Sequence, residues 1–171
     1  MLVSSGFVET EVVDMPAVQS FSNPDKLLPG TRFADRYSVV VKGQSLDAIT
    51  ASQRVFLKSP AWVGRLMALR NLLVKPFGLK TGAGDLPQQQ RRIGMFPVLS
   101  QTASRVVMGL DDRHLDFRLL VDVKDLGEGR QEVSASTLVA PHNRFGRTYL
   151  AIIMPFHRII VPAMLARIGR G

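Results

Sequence analysis

Gly109-Leu-Asp-Asp-Arg-His-Leu-Asp-Phe-Arg-Leu-Leu-Val-Asp-Val-Lys124 is the stretch whose reading decides the fold. After the Asp111-Asp112-Arg113 turn, apolar residues return at every second position. Leu115, Phe117, Leu119, Val121 and Val123 take one face, and His114, Asp116, Arg118 and Asp122 take the other. The same period of two runs through 93–99, 105–110, 114–124 and 131–140. The joints at 101–104, 111–113 and 125–129 are too short for parallel crossovers, so the four strands form an antiparallel meander. Pro97 cannot donate to a ladder and places its strand at an edge or a bulge.

Working towards the N-terminus, 34–41 reads as a further strand, because Tyr37-Ser-Val-Val-Val41 is β-branched and Gly43 bounds it. Two helices lie between that strand and the meander. Ser45 can cap the first, with Asp47 in its opening turn and Leu46, Ile49 and Phe56 on its apolar side. Ser59-Pro60 opens the second, in which Trp62, Leu66, Leu69 and Leu73 recur at helical spacing as a core stripe. Pro76 and Gly78 end it. Residues 79–92, with Gly82-Ala83-Gly84, read as a connector, since no strand and no third spaced glycine make a dinucleotide fingerprint. Residues 7–14 alternate weakly as a short strand, and 20–30 read as a loop from their turn residues.

Towards the C-terminus, Asn143 is placed to cap a closing helix over about 146–168. Tyr149, Ile152, Ile153, Phe156, Ile160 and Met164 form its expected apolar stripe, with Pro155, Arg158 and Pro162 opposite. A kink or break is expected near Pro155. His157 and Arg158 near the middle of this apolar window argue for a buried helix and against a transmembrane span.

The fold class is therefore α+β, with 171 residues as a single domain: 1–30 partly irregular and 31–171 the core. No signal peptide is apparent at the start, and the absence of cysteine fits a reducing cytoplasm. The net charge is +8, and 140–171 hold Arg144, Arg147, Arg158, Arg167 and Arg170 with no acid. That balance permits anionic partners, though a solvated basic surface gives the same pattern.

Two polar clusters carry whatever chemistry there is. His114, Asp116 and Arg118 are neighbours on one strand face, where they can orient one another or simply meet water. In the Pro141–Arg147 cluster, Arg144 and Arg147 enter a helix's first turns against its macrodipole. An anionic neighbour would compensate them. Asp111, Asp112 or Asp116 could supply it, and so could a bound carboxylate or phosphate. The three histidines, His114, His142 and His157, match no metal-ligand spacing, so neither a metal nor a cofactor is expected.

Gly109–Arg118, Pro141–Tyr149, Pro155-Phe-His157, the Ser59-Pro-Ala-Trp62 entry and the Leu69-Arg-Asn71 to Gly78-Leu79 region together resemble the bacterial domain-of-unknown-function family 2867. The likeness covers the chain from about residue 30. Phe145 stands where an aliphatic residue is more usual. The family is similar to the START-like helix-grip superfamily, in which a curved antiparallel sheet wraps a long C-terminal helix. That superfamily carries apolar ligands or acts as cyclases, and some longer relatives have a Rossmann-type NAD(P)-binding reductase part, which this chain lacks.

The resemblance implies a small apolar or amphipathic ligand with an acidic group between sheet and closing helix. Its mouth would be formed by Asp112, Arg113, His114, Asp116, Arg118, His142, Asn143, Arg144, Arg147, Tyr149 and His157, and the domain would work beside a separate NAD(P)-dependent reductase. Two other functions fit the same residues. One is a cyclase- or hydrolase-like enzyme with His114 or His142 as acid or base, oriented by Asp116. The other is a module whose arginine-rich end meets anionic lipid, or less readily nucleic acid.

Overall fold

A computed structural model describes residues 11–12, 16–19, 21, 23–43, 45–57, 60–74 and 91–169. Of 11, 18, 67 and 69–74 only the backbone is described. The elements are β1 (Glu11–Val12), β2 (Ala17–Gln19), β3 (Phe33–Lys42), α1 (Ala48–Leu57), α2 (Ala61–Val74), β4 (Arg92–Ile93), β5 (Phe96–Gln101), β6 (Arg105–Leu110), β7 (Leu115–Gly127), β8 (Arg130–Pro141) and α3 (Arg144–Leu165). All pairings are antiparallel, in the order β1-β3-β8-β7-β6-β5-β4, with β2 beside β3. The meander forms as its short joints require, and β3 adds to its last strand.

The β7–β8 hairpin sets the register. Glu128 and Gly129 both have positive φ, the geometry of a two-residue turn whose twist matches its strands. The joint expected over 125–129 is shorter than that, because pairing continues to Gly127. Phe117 then faces Val139, Leu119 faces Thr137 and Val121 faces Ala135. On the far side of β8, Asp35 faces Thr137 and Tyr37 faces Ala135. One sheet face therefore presents Tyr37, Val39, Val41, Val133, Val121, Val106 and Met108 to α1 and α3, and these residues form the main core. Pro97 lies in β5 beside a two-residue strand, and the ladder shifts register just after it.

The other face is not simply polar. Leu120 and Leu138 are fully buried there with Leu28 and Ala140, packed by Phe21, Ala34 and Val107. The expected alternation left Leu120 unassigned. The segment before β3 covers it, so this sheet has apolar packing on both faces at that end. The expected loop at 20–30 also contains one 3-10 turn, Pro24–Lys26.

Three further expectations need correction. Asp47, not Ser45, caps α1: its carboxylate accepts the Thr50 N–H at 2.7 Å. Trp62 is 40% exposed, and among the α2 side chains described Val63 is the buried one; Leu69 and Leu73 of the expected stripe lie outside them. On α3, Ile152 and Phe156 point outward, at 60% and 47% exposure, while Ile153, His157, Ile160 and Met164 face the sheet side. Gly146 explains the rotation. A Cβ there would collide with the His114 carbonyl oxygen, so this face of the helix is pinned against the β6–β7 joint. Residues 153, 157, 160 and 164 follow Gly146 at helical spacing.

The helix runs unbroken through Pro155 and Pro162. It is also less buried than expected: only 11% of its most apolar window is buried, although by length and composition it could cross a membrane. Of the short strand expected over 7–14, residues 11–12 form β1, and of the connector expected over 79–92, Arg92 already belongs to β4. Residues 7–10, 13–14 and 79–90, with the Ser59 cap and the α2 stop at 76–78, lie outside the described residues.

Candidate functional site

The two sequence motifs meet at one end of the sheet. Leu115 pairs with Pro141, and the His142 N–H donates to the His114 carbonyl at 2.9 Å. Asn143 caps α3 by accepting the Gly146 N–H at 3.0 Å, which is what a short polar side chain in extended backbone does at a helix start. Its amide nitrogen donates to the Arg113 carbonyl at 3.2 Å and lies 3.1 Å from His114 Nδ1. The His114 ring packs against Phe145 at 4.8 Å between centroids.

Hydrogen bonds inside the first motif shape its turn. Asp116 accepts the Asp112 N–H at 3.0 Å, and Asp112 accepts the His114 N–H at 3.1 Å. Arg118 donates to Asp111 and to the Phe117 carbonyl. Gly109 sits where a Cβ would strike the Phe117 carbonyl oxygen. His114 lies in this turn, before β7 begins, so it is not part of a ladder with Asp116 and Arg118.

Asp116 instead holds His142, with Oδ2 3.0 Å from Nε2. His142 is exposed, and a solvent-facing pair of this kind contributes little to stability. Arg144 and Arg147 are exposed on the outer side of α3, and among the described residues neither forms an ion pair. The expected meeting of Asp112 and Asp116 with these arginines is therefore not formed. Most polar atoms of this junction are spent in joining the β6–β7 turn to the start of α3.

A second place has different chemistry. Between the sheet and α3 lies a cavity of about 300 Å³. The sheet contributes Phe33, Leu110, Leu115, Phe117, Leu119, Thr137 and Val139; α3 contributes Ile153, Met154, His157 and Ile160. Phe56 of α1 and Val63 of α2 close one side. Phe96 links the walls, edge-on to Phe56 at 5.3 Å and to Phe117 at 6.0 Å. Methionine, unbranched and flexible, lets such a wall adapt to an irregular apolar shape, and the phenylalanine rings add large rigid apolar area.

His157 brings polarity to this lining. Its Nε2 lies 3.0 and 3.2 Å from the two Asp35 oxygens, and the edge of Phe33 packs against its ring at 5.8 Å. Both partners are largely buried. Thr137, register partner of Asp35 on β8, adds a buried hydroxyl to the same wall. Tyr37, two residues along β3, has its phenol pushed up by burial and then by the Asp35 charge, with Arg158 pulling the other way.

Of the site residues expected from the sequence, His157 lines this cavity; Asp112, Arg113, His114, Asp116, Arg118, His142, Asn143 and the α3 arginines belong to the junction or the outer surface. Asp35 and Thr137 were missed. A signal for Asp35 exists, since it shares the parity of Tyr37, Val39 and Val41 in a strand whose other inward positions are apolar. A carboxylate there requires a buried partner.

The family described as protein of unknown function (DUF2867) matches residues 27–164. No curated protein matches the chain.

Proposed function

The chain belongs to this DUF2867 family, and we propose that it is a small-molecule-binding domain whose ligand lies in the cavity beneath α3. The observation that carries this reading is a cavity of about 300 Å³ with an almost wholly apolar lining and one buried His157–Asp35 pair in its wall. Ligand pockets of roughly 300–1,000 Å³ have this composition, with a few polar groups that fix orientation. An antiparallel sheet with one long C-terminal helix packed on its face supports a helix-grip architecture, in which the space between them is the ligand's place.

The ligand has an apolar body and one neutral hydrogen-bonding group, a hydroxyl or a carbonyl, directed at His157 and Thr137. An acidic group fits less well, because Asp35 already places a carboxylate against His157. In this reading the cytoplasmic domain holds its ligand for a separate NAD(P)-dependent reductase, a partner the family resemblance implies.

The test is displacement of a neutral apolar dye such as Nile red, together with native mass spectrometry of the purified protein. Met154→Trp, which fills the cavity, should abolish dye binding, and Arg144→Ala should leave it intact. Equal binding by the Met154→Trp protein would sink the proposal.

A second reading draws on the same pair. A histidine oriented by a buried carboxylate at the wall of an apolar pocket can act as general acid or base. Turnover of a bound carbonyl compound, lost in His157→Gln with binding retained, would favour this enzyme over a carrier.

A further inference from the structure

The outward side of α3 has two unlike halves. Ile152, Phe156 and Ile159 recur at three- and four-residue spacing and are 60%, 47% and 63% exposed. Arg144, Arg147 and Arg158 share the neighbouring strip with Ala151, all exposed, and the exposed Pro155 lies between the two rows. Three large apolar side chains in one row on a helix surface mark an interaction site, not scattered exposure.

We propose that this side of α3 docks on the surface of an anionic lipid bilayer, with Ile152, Phe156 and Ile159 entering the headgroup boundary. The arginine row would then lie against lipid phosphates. An apolar row flanked by cations is the pattern of a helix lying in the plane of an interface. The helix does not span the bilayer, because its other side is held to the protein by the His157–Asp35 pair and by Met164 and Leu165 in the core.

Charge decides against a second copy of the chain as occupant. Residues 140–171 hold five arginines and no acid, so a like face would bring like charge. The apolar row decides against nucleic acid, whose phosphates would satisfy the arginines and leave isoleucine and phenylalanine in water. The inference does not depend on what the cavity holds.

The experiment is vesicle flotation with the whole chain, comparing phosphatidylcholine alone with phosphatidylcholine mixed with phosphatidylglycerol. Binding is expected to the mixed vesicles and to weaken at high salt. Arg144→Ala with Arg147→Ala should weaken it roughly tenfold or more, as each basic residue near an anionic surface adds to the attraction. Ile152→Ser with Ile159→Ser should abolish it, with circular dichroism confirming an intact fold. In a Trp62→Phe background, Phe156→Trp should show a blue-shifted emission on mixed vesicles only.

Equal binding to both vesicle types overturns the proposal, as does binding unaffected by the serine substitutions. So does a concentration-dependent dimer, seen by analytical ultracentrifugation and dispersed by those substitutions, in a chain that ignores vesicles. Cavity filling by Met154→Trp should leave flotation unchanged, which separates this result from any failure of the ligand reading.

Discussion

His157 Nε2 lies 3.0 Å from Asp35 Oδ2, joining the middle of the last helix to the first long strand across the width of the fold. Neither residue is near the other in sequence, and both sit among apolar side chains. Removing Asp35 alone leaves a buried imidazole without its acceptor, and removing His157 alone leaves a buried carboxylate without its donor.

Asp35→Ala and His157→Phe should each destabilise, and the double variant should lose less than the sum, with a coupling of about 1–3 kcal/mol. Urea denaturation of the four proteins measures this. Additive losses would mean that the two groups do not depend on each other.

The start of α3 offers a graded test. Asn143→Ala should cost about 0.5–2 kcal/mol, the usual loss on removing a capping side chain. Gly146→Ala should cost more, because the added methyl group meets the His114 carbonyl oxygen and the helix cannot retreat without losing its seat. Thermal melts in which Gly146→Ala proves the milder change would refute the pinning of α3 described above.

Burial separates two large hydrophobic residues. Leu138→Ala should destabilise by about 2–5 kcal/mol, although it lies on the sheet face away from the helices, since Leu28 and Leu120 enclose it. Trp62→Ala should cost much less, because that ring is 40% exposed. Similar denaturation midpoints for the two variants would contradict this assignment.

Asp47 gives a pH dependence with a definite sign. The Thr50 N–H, then the Thr50 hydroxyl, hold its carboxyl below the usual range, against a small effect of burial. A depressed folded-state pKa means that the stabilisation is complete above the unfolded value of about 3.9 and is lost as pH falls below it. The loss in stability caused by Asp47→Ala, which removes the accepting oxygen, should therefore be present in full at neutral pH and shrink in acid. A difference that stays constant through that range would exclude the cap as its source.

The sheet was legible because a period of two and three short joints leave one arrangement, and Asn143 was legible because its cap needs only its own turn. The rotation of α3 was not. Apolar residues surround that helix, so Ile152 and Phe156 look as well suited to a core as Ile153 and Ile160. The choice between them was made by Gly146 against a carbonyl that pattern alone does not locate. Leu120 was obscured for a similar reason, since what covers it comes from Leu28, far away in sequence.

The candidate site was legible only in part. His114, Asp116 and Asn143 drew attention because polar residues cluster there, and the structure uses most of their atoms to bind one loop to another. Asp35 drew none because it stands alone in its strand. Its importance comes from a histidine that the closing helix delivers.

The placing of β3 beside β8 also sets an order of events during synthesis. Val39 pairs with Val133 and Val41 with Gln131, so β3 leaves the ribosome well before its main partner exists. The β7–β8 hairpin can close by itself through its two-residue turn, whereas β3 must wait for that hairpin and then add to its edge. Until then Tyr37-Ser-Val-Val-Val41 has only the short β1 and β2 as partners and its β8-facing edge is open, the kind of β-branched edge that neighbouring nascent chains capture. The yield of soluble protein will thus depend on how quickly the last third of the chain follows the first.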